Sequence, residues 1–416
     1  MSHSNKGVSR RKFIQKISLG TAGVGLSYKA LSTPLMLHSG FEKNPTDNKD
    51  IRNELMLQSG LYYFNTGSLG PLPRIVCDKV WQNMQLLELD PVSNNWGYLG
   101  NQANDVRKKL ADYINADLEE IILTRNTTEG MNLIAEGLSL QEGDEVITST
   151  DEHYGGQAGW EFLEKYKGIK IHRVEFPKGN ITTDQIIEFI KEQITPRTRV
   201  CSLMDVSTIT GMRMPFSQLA EITKPQGIFL ICDGAQSAGM LTVDVKKMGV
   251  DAFASSGHKW MFGPKETGFL YLSREIQNKV KSIQLESGFK AYNHNTGTRN
   301  VANILGLGEA INVQKSWGGI AEIETHNLML SSHLREGLKE IQGLKLISPD
   351  EENLRSGITS VIIRNKDVKE IYQELKRKNI IVKMLGKRNI LRFSTHIFNT
   401  REETDHLIWQ LSKSIK

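Results

Sequence analysis

The chain has 416 residues, of which 39% are hydrophobic and 24% are charged, so it can bury a large core and form two or three domains. Its formal net charge is +5 at pH 7, but residues 1–41 contain six lysines and arginines and no acidic residue. The rest of the chain has 46 basic and 47 acidic residues. This balance excludes an extended basic surface of the kind that binds nucleic acid.

The N-terminal segment "SRRKFIQKISLGTAGVGLSYKALST" combines paired arginines with a moderately apolar stretch and small residues. It resembles a twin-arginine export signal. The apolar stretch is too short and too polar to span a membrane. We therefore predict an export signal at residues 1–33, a solvated linker at 34–53, and a periplasmic or exported protein. The alternative is a disordered basic N-terminus on a cytoplasmic protein.

From about residue 100, helix-like and strand-like segments alternate. Apolar residues at helical spacing predict helices at 101–116, 126–138, 183–194 and 217–224. Continuous apolar runs predict strands at 121–125, 144–150, 199–206, 227–236, 250–257 and 267–273. Buried strands separated by amphipathic helices indicate an α/β fold with a mostly parallel sheet that is covered on both faces.

The last hundred residues have a different pattern. A long helix is predicted around 321–343, followed by a strand, a helix, two strands and a C-terminal helix. This order suits a smaller α+β domain. The predicted organisation is a large domain at 54–315, which includes the N-terminal segment, and a small C-terminal domain at 316–416.

The three cysteines, Cys77, Cys201 and Cys232, provide no disulfide framework, and the chain has no CxxC motif. Cys201 and Cys232 lie in apolar, strand-like segments, where buried and unreactive thiols are expected. Because the sequence shows no histidine cluster either, it predicts no metal site.

Several polar residues follow predicted strands at the point where each strand ends. In an open parallel sheet the carboxyl ends of the strands lie at one edge, and ligands bind beyond that edge. Residues that are distant in sequence are therefore expected to meet there. They are Thr127, Thr128, His153, Asp233, Ser256, His258 and Lys259.

These residue types match the parts of one cofactor. A helix that begins at Thr127 and Thr128 offers N–H groups and hydroxyls to a phosphate. A buried Asp233 needs a cation such as a protonated pyridine nitrogen. Lys259 lies between "SSGH" and "WMFGP", a partly apolar setting that lowers its pKa and favours a Schiff base. Phosphate, pyridine and aldehyde belong to pyridoxal 5′-phosphate (PLP).

Each of these residues also has an ordinary structural interpretation when it is taken alone. Asp233 could be a turn residue at a strand end, and the threonines could be helix caps. His153 could be a loop histidine, and Lys259 could extend its charge to solvent. The order in which they occur together is what favours the cofactor.

The segment "DGAQSAGMLTVDVKKMGVDAFASSGHKWMFGPKETGFLYL" resembles the core signature of the class V aminotransferases. This family of fold-type-I PLP enzymes includes the cysteine desulfurases and isopenicillin N epimerase. The resemblance extends from "YYFNTGSLGPLP" at residue 62 to "STHIFNTREETDHL" near the C-terminus. It implies a fold-type-I PLP-dependent transferase, with a mostly parallel seven-stranded sheet in the large domain and a smaller C-terminal α+β domain.

The resemblance also implies roles for individual residues. Lys259 would carry the cofactor as a Schiff base, Asp233 would pair with the ring nitrogen, and Gln236 would bond the phenolic oxygen. His153 would stack on the ring, and Asn65 would lie at the substrate mouth. The phosphate would be bound by Thr127, Thr128, Ser256 and His258. Thr298, in "GTRN", would reach the phosphate of the neighbouring subunit of a homodimer. Arg392, in "LRFSTHIFNT", would bind the substrate carboxylate.

The implied activity is chemistry at Cα of an amino acid or a similar small molecule, as an isopenicillin N epimerase-like enzyme or an aminotransferase. Cysteine desulfurases carry a nucleophilic cysteine shortly before the carboxylate-binding arginine, but "VKMLGKRNILRF" contains none. Thr208 stands where those enzymes commonly have an asparagine. The segments "VSTITGMRMP" and "STHIFNT" look closer to the epimerase-like branch. A C–S lyase and a non-catalytic PLP-binding or amino-acid-binding protein are the alternatives.

Overall fold

The computed structural model describes residues 48–415, so the predicted export signal and most of the predicted linker lie outside the described residues. The strands form a seven-stranded sheet, a four-stranded sheet and a two-stranded pair. In chain order they are β1 Tyr62–Tyr63, β2 Ile121–Thr124, β3 Glu145–Ser149, β4 Lys170–Val174, β5 Thr198–Met204, β6 Phe229–Asp233, β7 Ala252–Ser256, β8 Gly268–Leu272, β9 Leu344–Leu346, β10 Ile358–Ile363, β11 Ile380–Ile381, β12 Lys383–Leu385 and β13 Ile390–Ser394.

Helices connect most of these strands. Within the described residues, the α-helices of four or more residues are α1 Asn48–Glu54, α2 Arg74–Leu89, α3 Leu99–Ile114, α4 Thr127–Gly137, α5 Tyr154–Lys167, α6 Thr183–Lys191, α7 Phe216–Thr223, α8 Val245–Met248, α9 Val301–Ser316, α10 Gly319–Lys339, α11 Val368–Arg377 and α12 Arg401–Ile415. None of the helices in this part of the chain has the length and apolar character that crossing a bilayer requires.

The seven-stranded sheet has the order β2-β8-β7-β6-β5-β3-β4. Neighbouring strands from β7 to β4 are parallel, whereas β8 runs antiparallel to both of its neighbours. This confirms the predicted mostly parallel seven-stranded sheet. The edge strand β4 was not predicted, because Lys170 and Arg173 are exposed and interrupt the apolar run that marks a buried strand.

Helices cover both faces of this sheet. In β6, Leu230 and Cys232 pack into a core that includes residues of α3, α6 and α7. Ile231, which lies between them, packs with residues of α4 and α5 on the opposite face. Alternate side chains of a strand point to opposite faces, so a strand buried on both sides has a continuous apolar sequence.

The C-terminal part contains the four-stranded sheet, with the order β12-β13-β10-β9 and antiparallel pairs throughout. Leu334 of α10, Ile371 of α11 and Leu407 of α12 share one core with this sheet. The N-terminal strand β1 pairs in parallel with β11, and Phe64 enters the same core. Residues on either side of Phe64 are thereby placed next to the end of β13.

The helix α1 includes part of the segment predicted as a solvated linker. Ile51 is 1% exposed and packs in a core with Val76 and Phe398. Arg52 forms an ion pair with Glu403 over 3.5 Å. Residues 48–53 are therefore folded, because an apolar side chain and an ion pair attach this helix to other elements.

Candidate active site

Lys259 lies three residues beyond the end of β7, at the carboxyl edge of the seven-stranded sheet. Asp233 ends the neighbouring strand β6, and it pairs with Ala254 of β7 in the sheet register. Burial, helped by the charge of Arg392, lowers the pKa of Lys259 to about 8, and the Asp233 carboxylate opposes this shift. A lysine with this pKa supplies much more neutral, nucleophilic amine at neutral pH than an ordinary lysine does.

The residue after Lys259 anchors the lysine turn. The indole of Trp260 is fully buried and donates to Gln236 Oε1 over 2.7 Å. The Trp260 carbonyl accepts from Gln314 Nε2 and His396 Nε2, each over 2.9 Å. His396 Nδ1 accepts from the Ile397 N–H, which makes Nε2 the donor, and burial lowers the pKa of His396 to about 3. A neutral imidazole therefore fixes the backbone next to the lysine.

A glycine holds the same turn from the other side. The Gly70 N–H donates to the His258 carbonyl over 2.9 Å. A Cβ on residue 70 would lie 1.9 Å from the Lys259 carbonyl oxygen. Only glycine permits this approach. Only Asn65 of "NTGSLGPLP" is a predicted site residue, but the density of glycine and proline in this segment is a signal that points to Gly70.

Asp233 is 5% exposed, and its Oδ1 accepts from the Ala235 N–H over 3.0 Å. Burial raises the pKa of Asp233, whereas that hydrogen bond and the charges of Lys259 and His153 lower it. Among the described residues, no lysine or arginine forms an ion pair with this carboxylate. A Cβ on Gly156 would lie 2.8 Å from Asp233 Oδ2, so this position of α5 requires a glycine. A buried carboxylate of this kind suits a cationic ring nitrogen.

The first turn of α4 meets the end of β7. Asn126 caps α4 by accepting from the Glu129 N–H over 2.9 Å. The Thr127 N–H donates to Ser256 Oγ over 2.9 Å, and the two hydroxyls are 2.7 Å apart. Thr128 follows on the same turn, where a Cβ on Gly155 would lie 2.2 Å from its hydroxyl. This helix N-terminus and its hydroxyls could hold an anion such as a phosphate.

His258 follows Ser256 by two residues and has an unsatisfied ring nitrogen. Its Nδ1 is buried and has no hydrogen-bond partner among the described residues. Burial, followed by the charges of Lys259 and Lys265, lowers the pKa of His258 to about 4. A buried polar atom without a partner is uncommon in a folded protein and is consistent with a ligand that completes the site.

His153 caps α5, with its Nδ1 accepting from the Gly155 N–H over 3.1 Å. This bond fixes the orientation of the imidazole. Partial desolvation and the charge of Lys259 lower the pKa of His153, while Asp233 opposes the shift. His153 is thus close enough to Lys259 and Asp233 to share their cleft, as its predicted stacking position requires.

Arg392 of β13 is 2% exposed and is surrounded by neutral acceptors. Its Nη1 donates to Thr208 Oγ1 over 2.6 Å and to the Thr208 carbonyl over 3.2 Å. Its Nη2 donates to Ser68 Oγ over 3.0 Å and to Asn65 Oδ1 over 3.3 Å. Burial lowers the pKa of Arg392 to about 10, so it remains charged at neutral pH. Within residues 48–415 no carboxylate pairs with this guanidinium, which therefore suits the carboxylate of a ligand.

Gln236 and Thr208 connect the arginine to the lysine turn. Gln236 Nε2 donates to the Gly67 carbonyl over 2.9 Å and to Thr208 Oγ1 over 3.4 Å. Because Oε1 accepts from Trp260, the amide nitrogen faces Thr208. The Thr208 hydroxyl accepts from Gln236 and from Arg392, which leaves its own proton free for another acceptor.

Thr298 is the one predicted site residue that the structure places in a different cavity of this chain. It lines a cavity of about 600 Å³ with Trp96 and Tyr292. Its predicted role acts across a subunit interface, so a position outside the cleft of its own chain is compatible with that role. The other predicted site residues come together around Lys259, Asp233 and Arg392, and their individual roles remain proposals.

The cleft has the donor set that PLP requires. An anion site at α4 and an unsatisfied His258 nitrogen fit the phosphate, and the buried Asp233 fits the ring nitrogen. Lys259 supplies the amine. In the part of the chain that the structure describes, no group of three or more histidine, cysteine and acidic side chains could hold a metal ion.

Comparison with known proteins identifies relatives over most of the chain. The chain is 26% identical over 389 residues to a probable cysteine desulfurase of Methanothermobacter thermautotrophicus, covering 85% of this chain and 95% of the relative. It is 26% identical over 397 residues to the isopenicillin N epimerase of Amycolatopsis lactamdurans, covering 88% and 98%. A solved structure of the cystine C–S lyase C-DES, in which glycine is covalently linked to the PLP cofactor, superposes with a TM-score of 0.79. That match has 22% identity and covers 87% of this chain and 98% of the other.

A family model confirms the resemblance that the sequence motifs indicate. The model described as aminotransferase class-V matches residues 89–407, which is more than half of the chain. The segment includes the strand ends, the lysine turn and Arg392. The chain belongs to the class-V aminotransferase family of PLP-dependent enzymes.

Proposed function

We propose that this protein is a PLP-dependent enzyme acting at Cα of an amino acid or a similar substrate, as an isopenicillin N epimerase-like enzyme or an aminotransferase. The observation that carries the proposal is one cleft with a lysine of pKa about 8, a buried carboxylate and a buried guanidinium that no carboxylate of the described residues pairs with. PLP held by Lys259 supplies an electron sink for the electron pair left at Cα when its proton is removed.

Three residues of the cleft have separate roles in the proposed reaction. Arg392 binds the substrate carboxylate through its two terminal nitrogens, held in place by Thr208 and Ser68. Asp233 would keep the ring nitrogen of bound PLP protonated. When the substrate amine has taken its place on the cofactor, Lys259 would be a free neutral amine that accepts the proton from Cα, and its lowered pKa suits a base that works near neutral pH.

A persulfide mechanism on an enzyme cysteine does not suit this site. The segment between β12 and β13 contains no cysteine, and none follows Cys232 in the sequence. Cys201 and Cys232 are fully buried, and burial raises the pKa of both thiols, that of Cys201 to about 12. A C–S lyase that eliminates the sulfur group without an enzyme thiol is the second candidate, because the site has the base and the carboxylate anchor but lacks the nucleophile.

The deciding experiment incubates the purified protein, loaded with PLP, with a panel of amino acids in deuterated water and analyses the products. Deuterium at Cα with inverted configuration identifies an epimerase, and a keto acid identifies an aminotransferase. Pyruvate together with a released sulfur species identifies a lyase. If no amino acid exchanges its Cα proton and none is converted, the protein only binds its ligands and the proposed function is wrong.

We further propose a homodimer and export through the twin-arginine route. The position of Thr298 in a cavity with Trp96 and Tyr292 supports a partner subunit as the recipient of that residue, and light scattering of the purified protein measures the assembly. For export, replacing Arg10 and Arg11 with lysine should retain the protein in the cytoplasm, whereas the parent chain should be found in the periplasm. Equal cellular distribution of the two proteins would contradict the export proposal.

A further inference from the structure

Lys383 lies directly opposite Arg392 on the neighbouring strand. β12 is the edge strand of the four-stranded sheet, and its register pairs Lys383 with Arg392 in an antiparallel ladder. Side chains of directly paired residues project from the same face of a sheet. Since Arg392 faces the cleft that contains Lys259, Lys383 also projects toward the cleft.

A second observation places the charge of Lys383 near the cleft. Lys383 is among the cations that lower the pKa of His153, together with Lys259 and Arg392. His153 belongs to the seven-stranded sheet region, whereas Lys383 belongs to the C-terminal sheet. His153 and Lys383 therefore lie on different sides of the cleft that contains Lys259.

The charges around Lys383 are unbalanced. Two cations directly opposite each other on paired strands destabilise a sheet. In the described residues, neither Lys383 nor Arg392 forms an ion pair with a carboxylate, whereas the nearby Arg388 is neutralised by Asp151 over 2.9 Å. Lys383 and Arg392 together carry two positive charges. A single substrate carboxylate neutralises only one of these charges.

We propose that Lys383 binds a second negative charge on the substrate, so that the enzyme prefers amino acids whose side chain carries a carboxylate or another anionic group. This inference rests on the proposed function, since it assigns Arg392 to the α-carboxylate. Lys383 is exposed, unlike Arg392, which suits a side chain that meets the distal end of a substrate at the mouth of the cleft.

The test measures dissociation constants from the change in the visible absorption of the PLP-loaded protein on titration with amino acids. The ligands are aspartate, glutamate and 2-aminoadipate, with asparagine and glutamine as neutral ligands of similar size. The proteins are the parent, Lys383→Met and Lys345→Met. Lys345 is the matched control, because it is an exposed lysine on β9 at the opposite edge of the same sheet.

We expect the parent to bind an acidic ligand about fivefold tighter than its amide, the upper range for an ion pair open to solvent, and added salt to reduce this preference. Lys383→Met should remove the preference and leave amide binding unchanged, while Lys345→Met should retain it. The inference is overturned if the parent shows no preference or if Lys383→Met keeps it. Failure of the proposed function is recognised separately, because neither the acidic ligands nor the amides would then exchange their Cα proton or be converted in deuterated water.

Discussion

The pKa of Lys259 determines how fast the protein captures its cofactor. Burial is the main cause of the lowered value of about 8, against 10.5 for an ordinary lysine. At pH 7 the neutral fraction of a group with pKa 8 is about 10%, against about 0.03% for an ordinary lysine, which is a gain of about 300-fold. Because only the neutral amine attacks an aldehyde, the capture rate should rise with pH and level off above about pH 8.

The assay removes the cofactor and follows its recapture by stopped-flow absorption between about pH 6 and pH 10, a range that spans the expected midpoint. Nα-acetyl-lysine, measured in parallel, corrects for the titration of PLP itself, and Lys259→Ala should give no covalent absorption band. Arg392→Met removes a cation and should raise the midpoint, whereas Asp233→Asn removes an anion and should lower it. A parent midpoint near pH 10, or variants that shift in the same direction, would refute the reasoning.

Three further substitutions test the contacts around the cleft. Thr208→Val removes the 2.6 Å acceptor of Arg392 and should lower the free energy of unfolding by about 1.5 kcal/mol in urea denaturation, while weakening the binding of substrate carboxylates. Thr359→Val is its control: this buried hydroxyl has no partner among the described residues, so stability should be unchanged or higher by up to about 1 kcal/mol. Gly70→Ala places a Cβ against the Lys259 carbonyl and should cost about 1–3 kcal/mol of stability and displace the capture midpoint. Unaltered thermal unfolding and capture in Gly70→Ala would show that the turn is not held from that side.

The fold was predictable wherever its signals are local. The buried strands β5, β6 and β7 are continuous apolar runs, and α3 and α4 have regular apolar spacing, so their positions agree with the prediction to within a few residues. The helix α5 was missed because Gly155, Gly156 and Gly159 lower its intrinsic helix propensity. These glycines allow close approach to Thr128, Asp233 and Ala135, which is a tertiary requirement.

The sequence by itself identified the lysine, the aspartate and the helix start that meet at the sheet edge, because strand ends in a parallel sheet are brought together by the topology itself. Only the tertiary structure decided what orients Arg392, since Thr208 lies 184 positions away and Asn65 lies 327 positions away. It also decided that His396 anchors the lysine turn and that Lys383 pairs with Arg392 across neighbouring strands. Contacts between such distant residues leave no local periodicity, and they exist only when β1, the loop after β5 and β13 have packed against one another.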